Sequence, residues 1–101
     1  MDLSLLFGVR WIHVFEEDAP GRQVYRPERA DVPLSRRPRE RLVIEPDGVA
    51  VWHRGAPDDR LTALRGRWQE AGGEVRFLFP EGAGAPARVR EFAASRLVLD
   101  S

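Results

Sequence analysis

The stretch LRGRWQEAGGEVRFLFP, from Leu64 to Pro80, decides the fold class of this chain. Apolar side chains alternate in it with charged ones, and a two-residue rhythm is the period of a β-strand. The pair Gly72-Gly73 separates two such alternating runs and predicts a tight hairpin turn between them. The stretch therefore indicates two neighbouring antiparallel strands.

Gly66 and Trp68 point to the same face of the first of these strands. A glycine inside a strand weakens it unless the strand bends or another group approaches its backbone closely. A large ring two residues further on is suited to filling one end of a small barrel. We therefore expect Gly66 and Trp68 to form a corner of a closed β-barrel, with the tryptophan plugging one end.

The same rhythm recurs along most of the chain. From Leu5 it predicts a long first strand, one face of which carries Leu5, Phe7, Val9, Trp11, His13 and Phe15. Pro46-Asp47-Gly48 lies between RLVIE and VAVWHR and predicts a hairpin whose glycine takes the left-handed conformation. The segment ARVREFAASRLVL is open to two interpretations, a hairpin around Ser95 or a helix after Pro86, and we favour the hairpin.

About eight short strands joined mostly by tight turns predict an all-β fold, a small up-and-down antiparallel β-barrel, because closure removes exposed sheet edges. The 101 residues fit a single domain, residues 1–101. Residues 27–40 are rich in proline and arginine and form the longest stretch without a periodic pattern. A loop of that length in a small domain is usually functional or mobile.

The composition argues against several classes of partner. Formal net charge is zero and the sequence pI is about 6.7, whereas nucleic-acid binders usually carry a basic surface. The same balance removes a long-range attraction to anionic membranes. The chain has no cysteine, and Arg10 interrupts the N-terminal apolar run, which makes a poor signal peptide. We expect a cytoplasmic monomer or homodimer with no nucleic-acid or membrane partner.

No catalytic signature stands out: the sequence carries no nucleophile elbow, phosphate loop, dinucleotide fingerprint or zinc motif. A metal site needs at least three converging ligands, and His13, His53 and Glu45 would meet only if both histidines face the interior. We favour hydrogen-bonded core or cavity-wall histidines, expect no metal and no cofactor, and leave a general-base role open. Catalytic residues are not assigned.

The arginines of the proline-rich loop have two interpretations. Arg36, Arg37, Arg39 and Arg41, in or beside this loop, would act as a lid or anion clamp at the barrel mouth, since guanidinium groups grip carboxylate or phosphate bidentately. Alternatively they belong to a solvated loop with ion pairs to Glu28, Asp31 and Glu40, and we favour this second interpretation.

Gly66-Arg67-Trp68 matches the Gly-x-Trp element of calycin-type, lipocalin-like proteins. From roughly Tyr25 to Asp100 the chain also resembles small bacterial lipocalin-like proteins. The resemblance rests on four segments in this order: LSRRPRERLVIEPDGVAVW, GAPDDR, LRGRW and RLVLD. In lipocalins the motif lies on the first strand, where this chain has the longer Gly8-Val9-Arg10-Trp11. The end-plugging role therefore belongs to Trp11, to Trp68 or to both. The resemblance implies a barrel that binds small, mostly apolar molecules, and some lipocalin-like barrels are cyclases or other enzymes.

We therefore expect a calycin-like barrel that binds a small apolar or aromatic molecule in an apolar, aromatic pocket. The candidate ligand-binding residues are Trp11, His13, Trp52, Phe77, Phe92 and Arg41. One alternative is a cyclase or isomerase of natural-product biosynthesis that shapes its substrate in the barrel, which needs few catalytic groups. Another is a protein-binding or inhibitory module. A register slip of one residue would move every candidate to the opposite face.

Overall fold

The computed structural model describes residues 3–28, 39–55, 61–80 and 85–100. These residues form eight strands and two short 3-10 turns. The strands are β1 (Trp11–His13), β2 (Arg22–Pro27), β3 (Arg41–Ile44), β4 (Val49–Gly55), β5 (Leu61–Ala71), β6 (Glu74–Leu78), β7 (Arg88–Ala93) and β8 (Arg96–Asp100). The 3-10 turns cover Leu3–Leu5 and Phe15–Glu17.

The strands close into one antiparallel barrel in the order β1-β2-β8-β7-β6-β5-β4-β3, which confirms the predicted fold class. From β3 to β8 each strand pairs with the next along the chain, as in a meander. The order departs from a meander at one place, because β1 lies between β2 and β3. The connection from β2 to β3 therefore skips one strand position, and residues 29–38 of it lie outside the described residues.

Two turn predictions are confirmed. Gly48 closes the β3–β4 hairpin with a φ of 92°, and the Val49 amide donates to the Asp47 carboxylate at 3.1 Å. Gly72 and Gly73, with φ of 60° and 78°, close the β5–β6 hairpin. Both turns need the left-handed conformation that glycine adopts without a steric penalty.

The segment after Pro86 is a hairpin and not a helix. Val89 and Phe92 are three residues apart, a spacing that also suits one face of a helix. In the structure a β-bulge between Val89 and Glu91 shifts the register. Val89 then lies opposite Leu99 and Phe92 opposite Leu97, so that both contact the barrel interior.

The prediction of a long first strand from Leu5 is wrong. β1 begins only at Trp11, because Leu3–Leu5 form a 3-10 turn and Gly8 turns the chain with a φ of 68°. Leu6 is buried, and its carbonyl accepts the Trp11 indole N–H at 3.2 Å. The apolar rhythm before Trp11 thus belongs to a segment that folds onto the core.

Side chains that alternate along the strands form one core. Its buried members are Leu6, Trp11, Tyr25, Leu42, Ile44, Ala50, Trp52, Val75, Phe77, Val89, Leu97 and Leu99. Trp68 packs against this cluster while partly buried, with its ring 5.5 Å from that of Phe7. Its indole N–H donates to the Glu45 carbonyl at 2.7 Å, beside the β3–β4 turn. Trp68 is thus held beside the β3–β4 turn at the border of the core, while Trp11 is fully buried.

Neighbouring atoms pack closely against the backbone of Gly66, as the position of this glycine inside a strand predicts. A Cβ built on Gly66 would lie 2.5 Å from the Leu78 carbonyl oxygen and 2.6 Å from Cδ1 of Phe79. The Phe79 ring therefore packs over the backbone of Gly66 and continues into the core, 5.9 Å from Phe77 and 6.3 Å from Trp52.

Replacing Gly66 with alanine is expected to destabilise the barrel by about 1–3 kcal/mol, since the methyl group forces Phe79 and the Leu78 carbonyl to move. The measurement is the free energy of unfolding from urea titration, followed by tryptophan fluorescence. Arg65→Ala, at the exposed neighbouring position, is the control and should change stability by less than about 0.5 kcal/mol. Equal stability of the two variants would contradict the close packing at Gly66.

Candidate functional site

A short line of polar groups runs through the buried interior. The Trp52 indole N–H donates to the Tyr25 hydroxyl at 3.2 Å, and that hydroxyl donates to the Gln23 side chain at 3.5 Å. Tyr25 is fully buried, and burial together with the nearby Glu40 charge raises the pKa of its phenol well above the ordinary value. The structure makes Tyr25 a neutral hydrogen-bonding group inside the barrel.

His13 lies beside these polar groups and links Tyr25 to Asp18, in the segment that follows β1. Its ring stacks on Tyr25 with centroids 5.0 Å apart, and its side chain is 12% exposed. Nε2 lies 2.8 Å from the Asp18 carboxylate, and Nδ1 lies 3.7 Å from that of Glu40. Burial alone would lower the pKa of His13, but the two carboxylates outweigh it and hold the pKa above 6.5.

Arg39 is an ion-paired structural residue. It grips the Glu16 carboxylate through two contacts of 2.8 and 2.7 Å, donates to the His13 carbonyl at 3.0 Å and lies over the Phe15 ring. The hydrogen bonds from Arg39 lower the pKa of Glu16 to about 2. Arg39 therefore forms an ion pair, as the solvated-loop interpretation expects, and Glu16 is one of its partners among the described residues. Arg36 and Arg37 lie outside the described residues.

The candidate ligand-binding residues fall into separate places. Trp11, Trp52 and Phe77 belong to the buried core, Phe92 packs against its edge, His13 stacks on Tyr25, and Arg41 lies on the outer face. The two histidines do not meet, because His53 is opposite Arg41 on the outer face while His13 shares the inner face with Tyr25. Across the described part of the chain, no group of three or more metal-ligating side chains converges.

An apolar opening lies where β6 and β7 are joined most weakly. These two strands pair at one position, Arg76 opposite Arg88, beside a backbone hydrogen bond from Phe77 to Ala87. A pocket of about 370 Å³ opens next to this short ladder. It is lined by Leu5, Gly73, Val75, Val89, Arg90, Glu91 and Phe92, which we call the β6–β7 pocket.

The floor of the β6–β7 pocket is part of the core. Val75 and Val89 are core residues, Phe92 packs against the core, and Leu5 contributes an apolar side chain that is 39% exposed. Sequence reasoning identified only Phe92 among these. The gap beside Val75 and Val89 depends on pairing between strands, which a two-residue period does not reveal.

Ion pairs bridge the strands beside this pocket. Arg88 lies 2.6 Å from the Glu74 carboxylate on β6 and 2.8 Å from the Asp100 carboxylate on β8. Arg76 lies 2.9 Å from Glu74, and Arg90 lies 3.3 Å from Asp100. Hydrogen bonds from Arg88 and Arg76 lower the pKa of Glu74. Side chains thus join β6, β7 and β8 at their surface, where few backbone hydrogen bonds join β6 to β7.

His13 makes stability dependent on pH. Because its pKa is raised in the folded state, its contribution is fully present below the unfolded pKa of about 6.5 and is lost as pH rises through the folded pKa. The free energy of unfolding, measured by urea titration between about pH 5.5 and 8.5, should fall over that window. His13→Gln should remove this fall. His53→Gln, which changes the other histidine, should retain it, and a fall that persists without His13 would contradict the assignment.

Comparisons with known proteins name no relative: no family model, curated protein or solved structure matches the chain. No helix in the described ranges is long and apolar enough to cross a membrane. The closed eight-stranded antiparallel barrel is compatible with a lipocalin-like fold.

Proposed function

We propose that this barrel binds a small molecule with an apolar or aromatic body in the β6–β7 pocket. One observation carries the proposal: the apolar pocket beside the short β6–β7 ladder has core residues, Val75 and Val89, as its floor. An apolar ligand seated there would extend the core, and removal of its surface from water would favour binding.

The size and the border of the pocket suit such a ligand. A volume of about 370 Å³ lies in the lower part of the range typical of small-molecule sites. Leu5 and Phe92 provide apolar walls, while Arg90 and Glu91 place charged groups at the rim. A compact apolar body with one polar substituent toward the rim fits this distribution.

The sequence-based candidates take different parts in this proposal. Phe92 contacts the ligand directly, whereas Trp11, Trp52 and Phe77 belong to the core and do not line the pocket. Membership of a calycin-type family and a cytoplasmic location are parts of the same proposal, supported by the barrel, by the Gly66-Arg67-Trp68 element and by the absence of cysteine.

A neutral fluorescent probe tests the site. N-phenyl-1-naphthylamine brightens in apolar surroundings and carries no charge, so it reports apolar binding alone. Wild-type protein should bind it saturably, and Leu5→Arg should weaken binding roughly tenfold by placing a charge in the pocket wall.

Leu78→Arg is the matched control, because Leu78 is also an exposed leucine, at 52%, but is not among the pocket's lining residues. It should leave the dissociation constant within about twofold of the wild-type value. Equal weakening by both variants, or no saturable binding to the wild type, would overturn the proposal. Native mass spectrometry of freshly purified protein then identifies a co-purified ligand by mass.

A further inference from the structure

Arg41 and His53 lie side by side on the outer face of the barrel. They are opposite each other in the β3–β4 pairing, and their neighbours Leu42 and Trp52 face the core. Successive side chains of a strand point to opposite faces, so Arg41 and His53 project outward. They are therefore separated from the β6–β7 pocket by the sheet.

A second pocket, of about 480 Å³, opens at this place. It is lined by Gly8, Arg10, Arg41, Val43, Glu45 and His53, which we call the outer pocket. Gly8 is bonded through its amide to the Ile44 carbonyl, so the N-terminal segment forms one wall and β3 and β4 form the floor. Three elements of the fold thus shape one concave site.

Two polar atoms in this pocket are buried without a hydrogen-bond partner among the described residues: Nε of Arg41 and Nδ1 of His53. An arginine Nε always carries a proton and can only donate. Leaving such a donor buried and unmet costs free energy, and a specific buried unsatisfied group calls for an explanation.

The pairing of other arginines shows what Arg41 lacks. Nε of Arg26 donates to Glu17 at 2.6 Å, Nε of Arg88 to Asp100 at 2.8 Å, and Nε of Arg76 to Glu74 at 3.0 Å. In each case a carboxylate oxygen accepts the hydrogen bond, although these arginine side chains are more exposed to water than Nε of Arg41. A carboxylate is therefore the group that this chain itself supplies to an arginine Nε.

The charges around the outer pocket favour a ligand with a single negative charge. Arg10 adds a second cation, whose contact with Glu28 is long at 3.7 Å and whose side chain is 63% exposed. Glu45 also lines the pocket and would repel a dianion more strongly than a monoanion. Val43 offers an apolar surface for a short hydrocarbon body.

We propose that the outer pocket binds a small monocarboxylate, whose carboxylate accepts the Arg41 Nε–H and contacts His53 while its hydrocarbon part lies on Val43. The imidazole donates from Nδ1 when that nitrogen carries the proton. The charge-assisted hydrogen bond satisfies the buried Arg41 donor and is stronger than a hydrogen bond to water. This site is independent of the proposed apolar ligand.

Sodium butyrate is the probe, titrated at constant ionic strength into the full chain and followed by amide chemical shifts. Saturable shifts are expected at Arg41, Val43 and His53. Inorganic phosphate, which at neutral pH carries more negative charge per ion than butyrate, and n-butanol, which keeps the hydrocarbon without the charge, should each bind at least about tenfold more weakly.

Arg41→Gln should weaken butyrate binding about tenfold or more, the loss expected for one charge-assisted contact. Arg65→Gln is the matched control, since it removes the same charge from the same outer face without lining the pocket. His53→Gln provides a second test that does not depend on the folding of the Arg41 variant, and it should weaken binding severalfold. Leu5→Arg, which blocks the β6–β7 pocket, should leave butyrate binding unchanged.

Three results would overturn the proposal. The first is no saturable shift with butyrate in the wild-type protein. The second is equal weakening by Arg41→Gln and Arg65→Gln, which would mean general attraction to a basic face. The third is equal affinity for n-butanol, which would mean apolar binding alone.

Discussion

Closure of the barrel depends on β1, a three-residue strand bonded on both sides. Trp11 lies opposite Pro27 on β2 and opposite Leu42 on β3. Backbone bonds extend both seams: the His13 amide donates to the Glu40 carbonyl and the Val14 amide donates to the Val24 carbonyl, each at 2.8 Å. Without β1, two strand edges would present unpaired backbone groups to water and to other chains. The buried Trp11 side chain anchors this short strand through the core.

Closure also decides where ligands have access. The described inward-facing side chains pack into one cluster around Trp11, Tyr25 and Trp52. An eight-stranded barrel has space for such side chains or for one small ligand. The candidate sites therefore lie where two strands share a short ladder or where another segment packs on the sheet: the β6–β7 pocket beside a ladder of one pair, and the outer pocket between the N-terminal segment and strands β3 and β4. The first offers apolar surface that continues the core, and the second offers the buried Arg41 donor, so the two suit different chemistry.

The fold class could be predicted because strand period and turn chemistry are local. Gly72-Gly73 and Pro46-Asp47-Gly48 determine two hairpins. Gly66, inside a strand, indicates that another group packs closely on its backbone, and in the structure that group is the Phe79 ring. The position of β1 between β2 and β3 could not be predicted, since period carries no information about partners. The bulge that turns Phe92 inward could not be predicted either, because it arises from the pairing of β7 with β8. For the two candidate sites, the sequence shows which residue types are present. It does not show the gap beside Val75 or the unpaired donor of Arg41, because both depend on how the strands pair in the folded structure.

The most direct measurement is a set of nuclear Overhauser contacts between backbone protons across β1. The closed barrel predicts contacts from Trp11 and Ile12 to β2, at Pro27 and Arg26, and also to β3, at Leu42 and Arg41. Contacts on both sides establish closure and with it the separation of an interior from an outer face. Contacts on one side only, with slow-exchanging amides absent from the other seam, would show an open sheet and contradict the barrel.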